Sequence, residues 1–77
     1  MDEKLRSLLA EVLRLPDEQV NDDLAMKDVD AWDSLVHMQL VLSLEQNFDI
    51  QLTFDEIVAM QSVREIKRVL TNRPEPM

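Results

Sequence analysis

Ser34 and the aspartates before it are the residues that invite a chemical reading. Asp33 stands where a run with helical spacing begins, so its carboxylate is placed to accept from the free amides of the first turn. Ser34 then takes the first helical position, with its hydroxyl toward solvent. A helix N-terminus carries partial positive charge and unpaired N–H donors, so a phosphate ester on that hydroxyl would be favourably placed. Other chemistries fail for want of parts. The chain has no glycine, which removes the nucleophile elbow, the Gly-rich phosphate loop and the dinucleotide-binding turn. Its one histidine, His37, falls on the core side of the same helix, badly placed as a base for Ser34. One histidine and no cysteine leave neither a zinc site nor a disulfide framework. Asp28, Asp30 and Asp33 do not make a calcium loop. Counting from Asp28, the sixth position is Asp33 where glycine is needed, and the twelfth is Gln39 where a bidentate glutamate belongs.

The element that must carry Ser34 is a helix from Ser34 to about Asn47. At roughly 100° per residue, Val36, His37, Leu40, Val41, Leu44 and Phe48 share one face, a core stripe. Leu35, Met38 and Leu42 lie on the other side with Ser34, with Gln39, Glu45 and Gln46 around them. So short a chain has little left to cover that second stripe. It reads as a docking surface beside one hydroxyl, with a homodimer seam or scattered exposed apolar residues as the plainer alternatives. Unbranched Met38 suits a surface that accepts several partners. Trp32 reads as a pin for the preceding loop, and His37 as a partly buried packing residue with one hydrogen bond.

These residues carry a resemblance. Trp32-Asp33-Ser34-Leu35 followed by Glu45-x-x-Phe48-x-Ile50 resembles the attachment segment of acyl carrier proteins, and the likeness runs from about Leu5 to Leu70. It implies that Ser34 carries 4′-phosphopantetheine through a phosphodiester, placed there from coenzyme A by a phosphopantetheinyl transferase. It implies cargo held as a thioester on the terminal thiol, loaded by an acyl- or aminoacyl-loading enzyme and passed to downstream transferases or synthases. Asp33, Leu35, Met38, Leu42 and Glu45 would be the partner-recognition residues. The chain departs from the fatty-acid members at Trp32, where they have a small residue, and at Val36 and Gln39, where they have acids. Trp-Asp-Ser-Leu followed by a histidine looks more like dedicated carriers of secondary-metabolite or surface-polysaccharide pathways. An aminoacyl or peptidyl carrier is one alternative. An unmodified helical adaptor binding through Leu35, Met38 and Leu42 is a more distant one.

The remaining elements follow from spacing and punctuation. Leu5, Leu8, Leu9, Val12 and Leu13 predict a helix over about 3–14, ended by Pro16. Residues 16–32 form a long connection with one helical turn near Pro16–Val20, and with Val20 and Leu24 as anchors. Thr53-x-x-Glu56 and Ser62-x-x-Glu65 spell two capping boxes. The first opens a short helix to about Met60, packing through Phe54, Ile57, Val58 and Met60. The second opens a helix to about Thr71 that buries Val63, Ile66 and Val69 or Leu70. The expectation is an all-α single domain, a small antiparallel four-helix bundle of three main helices and one short helix. It has a long loop between the first two helices, an ordered part of about 3–71 and a frayed tail at 72–77.

The net charge of −8 is uneven. Residues 1–16 and 50–77 each balance, while residues 17–49 hold nine acids against Lys27 alone. Such a field repels nucleic acid and anionic membrane and steers basic partner surfaces toward Ser34. No run approaches the roughly 18 apolar residues of a membrane span, and nothing resembles a signal peptide. A cytoplasmic monomer that is not itself an enzyme is the expectation.

Overall fold

Leu5, Leu8, Leu9, Ala10 and Leu13 form the buried face of α1 (Glu3–Leu13) in the computed structural model, which describes residues 3–72. Leu13 is the last helical residue. Arg14 turns left-handed (φ 59°), and the Leu15 N–H closes back on the Ala10 carbonyl at 3.0 Å. Pro16 then forbids continuation. The second helix, α2 (Ser34–Phe48), ends in the same way: Asp49 adopts φ 53° and donates its N–H to the Glu45 carbonyl. In a chain without glycine, Arg14 and Asp49 fill the left-handed positions that glycine usually takes.

α1 and α2 run antiparallel, as shown by the Lys4 ammonium at the start of α1. It donates to the Asn47 carbonyl at the end of α2 and lies 4.9 Å above the Phe48 ring. The last helix, α4 (Val63–Asn72), brings Lys67, Leu70 and Thr71 to the same end, around Leu5 and Phe48. The short α3 (Phe54–Ala59) precedes it. The core is Leu5, Leu8, Leu9, Leu13, Val20, Trp32, Leu40, Val41, Leu44, Met60, Val63 and Ile66, with their neighbours. The expected all-α bundle of three main helices and one short one is what forms. The only β pairing among the described residues is an isolated bridge between Ala25 and Ser62. None of the described helices is long and apolar enough to cross a membrane.

The long connection is held by what α4 leaves unpaired. The first amides of a helix lack intrahelical partners. Here the Val63 and Arg64 amides donate to the Leu24 and Asp22 carbonyls (2.9 and 3.3 Å), and the Met26 amide donates to the Gln61 carbonyl (2.8 Å). Two side-chain pairs fasten the same contact, Lys67 to Asp22 at 2.8 Å and Arg64 to Asp23 at 2.9 Å. Val20 and Trp32 are buried, Leu24, Met26 and Val29 partly so. Single 3₁₀ turns at Asp17–Gln19 and Met26–Asp28 take up the slack. The first of them is the expected turn after Pro16.

Three expectations need correction. Phe54 (78 % exposed) and Val58 (50 % exposed) do not pack. In so short a segment Phe54 with Val58, and Ile57 with the C-cap residue Met60, both have helical spacing, and Ile57 with Met60 won the core. The Thr53–Glu56 capping box is complete, but the Ser62 device is only half of one. The Ser62 hydroxyl accepts from the Glu65 amide, while the Glu65 carboxylate pairs with Arg68 instead. Finally, α4 runs one residue further than expected, to Asn72; the rest of the expected tail, 73–77, lies outside the described residues.

Candidate functional site

Asp33 is the N-cap of α2. Its backbone is extended (φ −100°, ψ −172°), and its carboxylate accepts the Val36 amide at 2.9 Å. Its carbonyl takes the His37 amide at 2.8 Å, the first bond of the helix. Ser34 follows, exposed, and its hydroxyl has no hydrogen-bond partner among the described residues. One turn of helix therefore presents one free hydroxyl beside first-turn amides, under a fixed carboxylate.

The two faces of α2 divide as the periodicity predicts. His37, Leu40, Val41 and Leu44 are buried, with Val36 and Phe48 partly so. Leu35 is 69 % exposed, Met38 48 % and Leu42 55 %. Glu45 is half-buried, and its carboxylate accepts the Leu52 amide at 3.0 Å, so it also braces the connection from α2 to α3. That second role was invisible to spacing, because Leu52 lies beyond the helix end.

His37 differs from expectation. It is buried, and it makes two hydrogen bonds rather than one: Nδ1 to the Trp32 indole at 3.0 Å, Nε2 to the Ile57 carbonyl at 2.8 Å. Neither nitrogen is left to serve as a base toward Ser34. Between Ser34 and Met38 on one side and Ile57, Val58 and Gln61 on the other lies an open hollow of about 230 Å³, with Met26 and His37 also lining it. The residues that spacing missed are thus Val58, which joins the hollow, and Phe54, exposed at the start of the same short helix.

The acidic field is smaller than the sequence count implies. Asp22 and Asp23 are paired with Lys67 and Arg64 on α4. Lys67 holds the Asp22 carboxyl below its ordinary value of 3.8, chiefly through their hydrogen bond. Asp28, Asp30 and Asp33 remain exposed on the approach to Ser34.

A small helical scaffold that displays a capped, exposed serine beside an uncovered apolar stripe suits a protein that carries a group to its partners. Comparison with known proteins agrees. The family model described as a phosphopantetheine attachment site matches residues 3–70. The chain is 32 % identical over 66 residues to an acyl carrier protein of Akkermansia muciniphila, spanning 86 % of this chain and 82 % of that one. It is 33 % identical over 72 residues to polyketide-8 synthase acyl carrier protein 2 of Streptomyces avermitilis, spanning 92 % and 82 %. An acyl carrier protein of Buchnera aphidicola is 30 % identical over 67 residues, spanning 86 % and 85 %. The chain belongs to the acyl carrier protein family, whose members bear covalently attached 4′-phosphopantetheine and work with synthases and transferases.

Proposed function

We propose that Ser34 is the attachment residue and that this domain is a non-enzymatic carrier of acyl intermediates. The observation that carries the reading is the free, exposed Ser34 hydroxyl one residue after the Asp33 cap. The residues fit the group: first-turn amides and the helix dipole favour a phosphodiester there, and the hollow of about 230 Å³ beside Ser34 leaves room for a chain departing from it. When bound, phosphopantetheine supplies a thiol on a flexible arm that holds a carboxylic acid in activated form. The protein's own part is to hold the attachment oxygen still, keep its surroundings open, and tether cargo at high effective concentration near successive active sites.

Asp33, Leu35, Met38, Leu42 and Glu45 form the recognition surface in this reading, met first by a phosphopantetheinyl transferase and then by a loading enzyme. Exposed aspartates around it favour basic partner surfaces and disfavour nucleic acid and anionic membrane. The expected setting is the cytoplasm and the expected state a monomer. A dedicated biosynthetic pathway is favoured by the apolar early turn of α2 and by the likeness to a polyketide synthase carrier. Intact mass after co-expression with a broad-specificity transferase should show the phosphopantetheine adduct in wild type and none in Ser34→Ala. Uptake that survives the alanine change, or none by wild type with several transferases, would overturn the assignment. Profiling of acyl and aminoacyl loading then separates an acyl carrier from an aminoacyl or peptidyl one.

A further inference from the structure

His37 joins three elements through one ring. The Trp32 indole N–H can only donate, so His37 Nδ1, 3.0 Å away, must accept, and the ring proton sits on Nε2. Nε2–H then donates to the Ile57 carbonyl at 2.8 Å. Ile57 lies in the last turn of α3, where its carbonyl takes the Met60 cap amide at 3.4 Å and the shorter His37 bond at 2.8 Å, so His37 ties the C-terminal end of α3 to a neighbouring helix. α3 needs such a tie. It has six residues, none of them fully buried, and two of its large apolar side chains face solvent. On the other side, Trp32 is 2 % exposed and its ring stacks on His37 at 6.2 Å. Ser34 sits inside the five-residue span that this bond closes, together with the Asp33 cap. His37 also lines the hollow whose walls are Ser34 and Met38 on α2 and Ile57 and Val58 on α3.

We infer that His37 is a positioning residue for carrier modification: its Trp32–His37–Ile57 relay fixes α3 against the first turn of α2, and so sets the shape of the surface and hollow that a transferase meets around Ser34. The inference rests on Ser34 being the attachment residue. The geometry implies that the ring acts by joining a donor to an acceptor, so an amide with both functions should replace it, whereas an apolar side chain of similar volume should not.

The test compares His37→Gln, His37→Leu and Trp32→Phe in the full chain, using a broad-specificity phosphopantetheinyl transferase with coenzyme A. Two readouts are taken: kcat and KM of transfer, and the NMR signals of the Trp32 indole N–H and the α3 amides. His37→Leu should shift the α3 amides and raise KM about three- to tenfold with kcat within about twofold, the pattern of lost binding rather than lost chemistry. His37→Gln should restore both KM and the α3 signals. Should the leucine variant fail to fold, Trp32→Phe, which removes the indole donor and keeps the aromatic bulk, should displace α3 and raise KM in the same direction. Wild-type KM in a folded variant whose α3 signals have moved would overturn the inference, as would a folded glutamine variant that keeps the bonded indole N–H without restoring KM. Ser34→Ala separates the two readings. If it still accepts the group, the attachment assignment fails, while the NMR comparison continues to decide whether the relay holds α3.

Discussion

The two faces of α2 are built from the same kinds of side chain and end in opposite environments. Leu40 and Leu44 are fully buried; Leu35 and Leu42, in the same helix, are more than half exposed. Composition does not distinguish them. What differs is what the rest of the chain lays over each face: α1, the pinned loop and α4 close one, while the six residues of α3 reach only the edge of the other, beside Met38. Stability therefore resides on one side of the helix and the proposed recognition surface lies on the other, within one turn of it.

That division gives the largest expected effect. Leu44→Ala removes a fully buried side chain and should cost roughly 2–5 kcal/mol, a large share of what a small domain has. Met38→Ala should leave the melting temperature nearly unchanged. Thermal unfolding of the pair decides it: a Met38 variant that melts early beside an intact Leu44 variant would mean that the faces have been exchanged. Next in size is Leu35→Gln, expected to fold normally and to lower the transferase kcat/KM by about tenfold, the loss typical of one well-placed apolar anchor. Transfer at the wild-type rate would remove Leu35 from the recognition surface.

How much of this could be read from sequence depended on how local the cause was. The α2 stripes, the Asp33 cap and the Thr53–Glu56 box are decided within a few residues, and they form as their spacing predicts. Phe54 and Val58 were misassigned because the six-residue helix and its C-cap together offer two apolar pairs, and only the tertiary packing chooses between them. His37 showed its place on the core face, but its two partners lie five residues before it and twenty after it. A still longer separation in sequence hid the pairing of Asp22 with Lys67 and of Asp23 with Arg64, which offsets two acids of the field that a simple count assigns to the region around Ser34.

The acids divide as the faces of α2 do, into those with a structural partner and those left to solvent. Asp33→Asn keeps the cap, because asparagine caps as well as aspartate, and removes only the charge. It should slow association with a basic transferase, and the slowing should shrink as salt rises, since exposed charges are screened over about 8–10 Å. Asp22→Asn should change that rate less, because Lys67 already offsets the charge it removes. Stopped-flow association at low and at physiological salt measures both. Equal effects of the two substitutions, or a rate indifferent to salt, would end the distinction between free and partnered acids.

The smallest effect concerns the partnered acid itself. The Lys67 hydrogen bond lowers the Asp22 carboxyl below 3.8, so the folded form binds its proton less readily than the unfolded chain does. The resulting stabilisation is fully present above the unfolded value and is lost as pH falls through the folded one, a window that begins near pH 4 and extends downward. It should be slight, because both side chains are substantially exposed, 32 % for Lys67 and 44 % for Asp22. Carbon-detected NMR titration should place the Asp22 midpoint below 3.8 in wild type and return it toward that value in Lys67→Met. The melting temperatures of the two proteins should differ at neutral pH and converge in acid. If the midpoint does not move when Lys67 is removed, Lys67 is not what holds the carboxylate, and the contrast drawn between Asp22 and the exposed acids near Ser34 fails.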